Sequence, residues 1–225
     1  AWTYGGGGGT FTTVAISGDG NYIVVGELGN YRSGIYKVNS DGTLIWSNSF
    51  DGRVTNVMKS NDGNFHFVYN SQDGFIGIKK VNDDGIISNE HRSGPGFMSG
   101  EGHSLIQTKN NDFILTGTNN TSYGKIFLRR INSDLEDIWI KVYDIGSSSV
   151  GYSVKQTDDL GFIITGHSVS NRHYILLIKT DSNGEVEWKR YIGDGSEGQG
   201  YDISISYDIN NKHDGYVIIG YSNQY

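Results

Sequence analysis

Apolar residues in this chain fall in short runs rich in Ile, Val, Tyr, Phe and Thr, each closed by a cluster of Gly, Asn or Asp. Nowhere do they recur at helical spacing over a useful window, so the pattern predicts strands and turns throughout. The clearest stretch reads as four strands: Tyr152 to Thr157, Phe162 to Val169, Tyr174 to Lys179 and Glu185 to Ile192. The turns between them, Asp158 to Gly161, Ser170 to Arg172 and Asp181 to Gly184, carry residues that tolerate positive φ and form Asx hydrogen bonds.

This four-strand unit repeats. An aromatic followed four places later by glycine occurs at Tyr22–Gly26, Phe113–Gly117, Phe162–Gly166 and Tyr216–Gly220. A fifth copy, Phe65 to Tyr69, puts tyrosine in the glycine slot. The leading aromatics are 43, 48, 49 and 54 residues apart. A turn and then Trp46, Asn89, Trp139 or Trp188 follow the copies at Tyr22, Phe65, Phe113 and Phe162. Four-stranded units of about 40–50 residues have the period of a β-propeller blade.

The run from Gly151 to Gly166, continued by Leu177 to Trp188, resembles the repeat of secreted and surface β-propeller proteins of bacteria and archaea. In that family a DGGY-hydrophobic-G run precedes an IKTD-x-xG turn, a tryptophan and a GG loop. The likeness spans the whole chain and is weakest over 54–93, where Tyr69 and Asn89 depart from it. It implies an all-β fold, a five-bladed propeller of four-stranded antiparallel blades. The repeats are about 10–50, 54–93, 103–144, 152–192 and 201–225 of a single domain. Residues 1–5 match the segment around Trp188, so the N-terminal segment near Trp2 is expected to complete the fifth blade beside Tyr216 to Ser222. The alternatives are a three-stranded fifth blade, a longer array of which this chain is a piece, or an arc that closes on another copy.

Most repeated residues have a structural reason. A strand glycine lets a neighbouring backbone or large side chain come close, and Trp46, Trp139 and Trp188 suit packing between adjacent blades. The second blade, lacking both features, is expected to be the most loosely packed. The Asp181–Gly184 sequence resembles the start of a calcium loop but lacks the alternating oxygen ligands and distal carboxylate, which favours a plain turn. Two overlapping glycosylation sequons, at Asn119 and Asn120, predict an exposed loop.

Composition narrows the function classes. There are 33 glycines among 225 residues, one proline and no cysteine, which excludes disulfides, thiol nucleophiles and cysteine-based zinc sites. The net charge of −7 with no basic block argues against duplex nucleic acid, and no apolar run is long enough to insert as a membrane helix. No cofactor or metal is called for. Thirteen of the 25 carboxylates fall in turns joining first to second or third to fourth strands, which makes one end of each unit acidic. The loop bases Arg32, Arg53, His91, Arg92, Arg172 and His173 fall mostly at the other.

That other end receives the connectors Gly5 to Gly9, Asp51 to Arg53, Gly94 to Gly102, Ile145 to Gly151 and Gly193 to Gly200. At their ends stand Glu101, His103, Tyr152, Tyr201 and Asp202, the candidate ligand-binding residues. Two readings stand side by side: a site where loops converge, or residues that merely begin and pack the inner strand. A glycoside hydrolase needs two carboxylates flanking the sugar, and the expected inner strands hold only Asp202, with Glu101 just outside. The expectation is therefore an extracellular or cell-surface binding module without catalysis. Its partner is a glycan or a surface protein, and carbohydrate is the leading class because aromatic, Asn- and Asp-rich loops suit sugars. A structural surface protein that self-associates, or a hydrolase or lyase of five-bladed type, are the alternatives.

Overall fold

The computed structural model describes residues 11–93, 100–120 and 124–222. These form strands and no helix. Five antiparallel meanders follow one another along the chain. The first comprises β1 (Phe11–Ile16), β2 (Tyr22–Gly29), β3 (Arg32–Val38) and β4 (Leu44–Asp51). The second comprises β5 (Arg53–Lys59), β6 (Phe65–Asn70), β7 (Ile76–Val81) and β8 (Ile87–Arg92). The third holds β9 (Gly100–Gln107), β10 (Phe113–Asn119), β11 (Lys125–Ile131) and β12 (Asp137–Tyr143). The fourth holds β13 (Ser148–Gln156), β14 (Phe162–Val169), β15 (His173–Thr180) and β16 (Val186–Ile192). Only two strands, β17 (Gly198–Tyr207) and β18 (His213–Ser222), make up the fifth. The residues group into two compact units, 1–102 and 103–225. The segment expected to complete the fifth sheet, around Trp2, lies outside the described residues.

Within each unit the sheets pack face to face, since a half-buried strand needs a second layer over its apolar side. In the first, Ile23, Val25, Ile35, Val57, Phe65 and Phe67 share one buried cluster. In the second, Ile114, Ile126 and Leu128 meet Val154, Ile164 and Ile178, and Ile163 and Leu177 meet Ile203. The tryptophans bridge neighbouring sheets as expected. Trp46 donates from Nε1 to the Asp83 carbonyl at 2.9 Å. Trp139 meets Phe162 edge-on at 6.3 Å, and Trp188 lies 6.2 Å from Tyr216.

The Asp turns are plain hairpins: Asp181 accepts from the amides of Asn183 and Glu185 through one carboxylate oxygen. Because each sheet is a meander, its first-to-second and third-to-fourth turns share an end, and the acidic residues gather there sheet by sheet.

Three expectations need correction. The second sheet is not loose. Every residue of β6 is buried, because Tyr69 fills its slot against Phe50, 5.8 Å away, while the glycines move to positions 52 and 77, where a Cβ would overlap the Tyr69 ring. Second, the sequon loop is not uniformly exposed. Asn119 is buried and accepts from the Lys125 amide at 3.0 Å, whereas Asn120 is exposed. Third, β9, β13 and β17 begin at Gly100, Ser148 and Gly198, inside segments expected to be connectors. Tyr152 and Tyr201 therefore sit within strands rather than at their mouths.

Candidate functional site

Within the second unit a row of polar aromatics lies along the first strands of successive sheets. Its geometry comes from β-bulges. The pairing of β13 with β14 skips between Gly151 and Ser153, and that of β17 with β18 skips between Gly200 and Asp202. The extra residue in each case is the tyrosine, Tyr152 or Tyr201. A bulge re-aims its side chain and brings the strand's backbone closer to its partner. Gly166 in β14 answers that approach, since a Cβ there would overlap the Val150 carbonyl oxygen. The same skip falls at Thr12 and Thr55 in the first unit. The repeat thus carries threonine at this position in the first two sheets and an aromatic ring in the fourth and fifth.

His103, Tyr152 and Tyr201 are brought together. The ring centroids of His103 and Tyr152 are 5.2 Å apart, and those of Tyr152 and Tyr201 are 5.5 Å apart. Two residues extend the row that the sequence reading missed: Tyr221, 6.1 Å from Tyr201, and His167, 5.7 Å from Tyr152. Tyr201 and Tyr221 present exposed faces. The rings are tilted against each other and share edges, so they form a stepped surface with hydroxyls and imidazoles along it. The Tyr152 hydroxyl donates to Gln199 Oε1 at 3.4 Å. His167 has a buried Nδ1 with no hydrogen-bond partner, and burial, then His173, holds its pKa below the usual histidine value. It is a neutral ring at neutral pH.

Asp202 stands beside this row. It accepts from Ser153 Oγ at 2.6 Å and from the Ile203 amide at 2.8 Å, with Lys155 Nζ 3.7 Å away. Burial raises its pKa, but the Ser153 hydroxyl and Lys155 outweigh that and leave it lowered. An ionised carboxylate fixed in this way suits a hydroxyl-accepting role and is poorly suited to general-acid work at neutral pH. Glu101, the remaining candidate, is exposed on β9 in the first unit. Among the described residues, no three His, Asp or Glu side chains converge as metal ligands.

A comparison with protein families finds no match, and neither does one with curated protein sequences. Solved structures do match, and they are propeller-like. A protein of unknown function from Bacteroides caccae aligns with a TM-score of 0.56 at 16% identity, over 84% of this chain and 70% of that one. The periplasmic gluconolactonase of Pseudomonas aeruginosa aligns at 0.57 and 15% identity, over 86% of this chain and 59% of its own length. The WD40 domain of Neurospora crassa Pan2 aligns at 0.53 and 9% identity, over 94% and 60%. The chain therefore spans about six tenths of the latter two. At these identities the likeness shows the fold: stacked, four-stranded antiparallel sheets of propeller type. No helix among the described residues is long and apolar enough to cross a membrane.

Proposed function

We propose that the chain is an extracellular or cell-surface carbohydrate-binding module, built as a five-bladed propeller and without catalysis. The observation that carries the binding role is the row of polar aromatics on successive first strands, His103 with the bulged Tyr152 and Tyr201, continued by Tyr221. Aromatic faces stack on the C–H faces of sugar rings, and phenols, imidazoles and the ionised Asp202 exchange hydrogen bonds with hydroxyls around them. A half-exposed Tyr201 beside a fixed carboxylate offers both elements in one place. The absence of a second carboxylate among the candidates within this unit favours binding over hydrolysis. An exported location is supported by the likeness of the repeat to secreted propellers, and by a fold neighbour that is itself periplasmic.

The test is a glycan array followed by titration of any hit into wild type, Tyr201→Ala and Tyr152→Ala. Loss of one stacking ring should weaken binding about tenfold or more, with the Tyr201 variant melting at the wild-type temperature. No glycan binding together with concentration-dependent assembly would instead favour a structural role. Turnover of a polysaccharide that disappears in Asp202→Asn and Glu101→Gln would establish an enzyme.

A further inference from the structure

In the first unit a cleft of about 620 Å³ opens where the β2–β3 and β6–β7 turns and the β4–β5 junction come together. That volume lies within the range of small-ligand pockets, about 300–1,000 Å³. Its walls carry Asn30, Tyr31, Asp51, Gln72, Asp73 and Arg92, none of which the repeat reading singled out as ligand groups.

The cleft is built with an unusual residue at its rim. Asn30 and Tyr31 form the two-residue loop between Gly29 and Arg32, with φ of 52° and 55°. Such a loop normally takes Asn-Gly, since the second position also needs positive φ and a bulky side chain there is strained. Tyrosine stands where glycine would serve the turn better, and its ring is half exposed over the cleft. Its carbonyl is locked by the Gly52 amide at 2.6 Å, which fixes the loop against the opposite strand junction.

The polar groups facing this ring are held as well. Ser71 donates to Asp73, and its oxygen takes the Phe75 amide at 2.9 Å, so the β6–β7 turn is rigid. Burial is not what orients Arg92. Its Nε donates to the Tyr69 hydroxyl at 3.1 Å, and its guanidinium lies over Phe75 at 6.0 Å. The lining side chains thus sum to two carboxylates, one guanidinium, two amides, one phenol and one hydroxyl, with Asp51 paired to Arg32 at 3.2 Å and Arg92 to Glu90 at 3.5 Å. An anion would face Asp51 and Asp73, and a cation would face Arg92. A neutral ligand bearing several hydroxyls satisfies all of them: it donates to the carboxylates, accepts from Arg92 and lays an apolar face on Tyr31.

We propose that this cleft is a second saccharide site, independent of the tyrosine row, which binds a neutral sugar residue stacked on Tyr31. The turn itself gives a clean test. Tyr31→Gly removes the ring while relieving the positive-φ strain, so the variant should melt at or above the wild-type temperature. Tyr31→Asn, which also tolerates this φ, serves if the glycine variant behaves poorly. The probes are the methyl glycosides of glucose, galactose, mannose and N-acetylglucosamine, with methyl glucuronide as the charged comparison. Binding is followed through the backbone amide resonances of Gly52, Gln72 and Asp73. At least one neutral glycoside should shift these signals saturably in wild type and equally in Tyr201→Ala, which separates this cleft from the tyrosine row. In Tyr31→Gly the affinity should fall about tenfold or more. The proposal is overturned if no neutral glycoside moves these signals, if methyl glucuronide alone does, or if Tyr31→Gly binds as well as wild type.

Discussion

Tyr69 shows how far a single residue can be read from a repeat and where that reading stops. Its departure from glycine was plain in the sequence, but the consequence was not, because compensation came from Gly52 in the β4–β5 junction and Gly77 on β7. The ring is buried, Lys79 Nζ lies 4.9 Å from its centroid, and its hydroxyl donates to Glu90 while accepting from Arg92. Burial first, then the Glu90 carboxylate, pushes its phenol up to about 12. Restoring the repeat with Tyr69→Gly should therefore destabilise the protein by about 3–5 kcal/mol, the cost of emptying a buried aromatic site. Chemical denaturation of the two forms measures it, and an unchanged midpoint would mean that the neighbouring strands collapse into the space. The site residues divide along the same line. His103, Tyr152 and Tyr201 were legible because the repeat lines them up one position past a glycine. Tyr221 and His167 were not, since they reach the row from second strands, and only the pairing register brings them there.

At the scale of the element, the repeated IKTD lysine finds a physical explanation in a pairing that no single motif displays. Lys37, Lys80, Arg130 and Lys179 occupy third strands near the acidic turns. Each meets the aspartate of its own sheet's first turn: Asp19 at 2.9 Å, Asp62 at 2.8 Å, Asp112 at 2.7 Å and Asp159 at 2.8 Å. The acidic end of each of the first four sheets is thereby tied to its own strands, so its charge has a structural cause that needs no anion-repelling role. The Lys179 side chain is nearly buried and also bonds Glu187 at 3.0 Å. Burial raises the Asp159 carboxyl, but the bonds from Lys179, Thr157 and the Gly161 amide outweigh it and set the pKa at about 2. An unfolded aspartate titrates near 3.9. A carboxylate with the lower pKa in the folded state contributes stability that is complete above about pH 4 and is lost as pH falls toward 2. The melting temperature should accordingly drop between pH 4 and 2. Asp159→Asn should lower it at pH 7, through a loss of about 1 kcal/mol of stability for a charged hydrogen bond screened by solvent, and should shrink the acid-side fall. An equally steep fall in the variant would place the acid sensitivity elsewhere. Strand identity and turn type were legible here because hairpins are local. The bulges and the early starts of β13 and β17 were not, because cross-strand pairing decides them.

For the molecule as a whole, two apolar faces stand out by comparison with their own repeats. Val217 and Ile219 in β18 occupy the positions of Ile163 and Thr165 in β14. The β14 pair is fully buried, whereas Val217 is 55% and Ile219 67% exposed. Val14 pairs with Val24 as Val154 pairs with Ile164 and Ile203 with Ile218. Val154 and Ile203 are buried against the preceding sheet, but Val14 and Ile16 are 60% and 66% exposed. The last sheet thus shows the face that elsewhere meets a following sheet, and the first sheet shows the face that elsewhere meets a preceding one. Each is therefore an apolar face whose counterpart elsewhere in the repeat is buried, as Val57 is in the first unit and Ile163 in the second. If either face is covered in solution, Val217→Asp or Val14→Asp should cost about 3 kcal/mol, since it buries a charge without a partner. A substitution that leaves stability unchanged would mean that its face is solvated. A concentration-dependent oligomer abolished by Val217→Asp would mean that a second copy of the chain covers the β18 face.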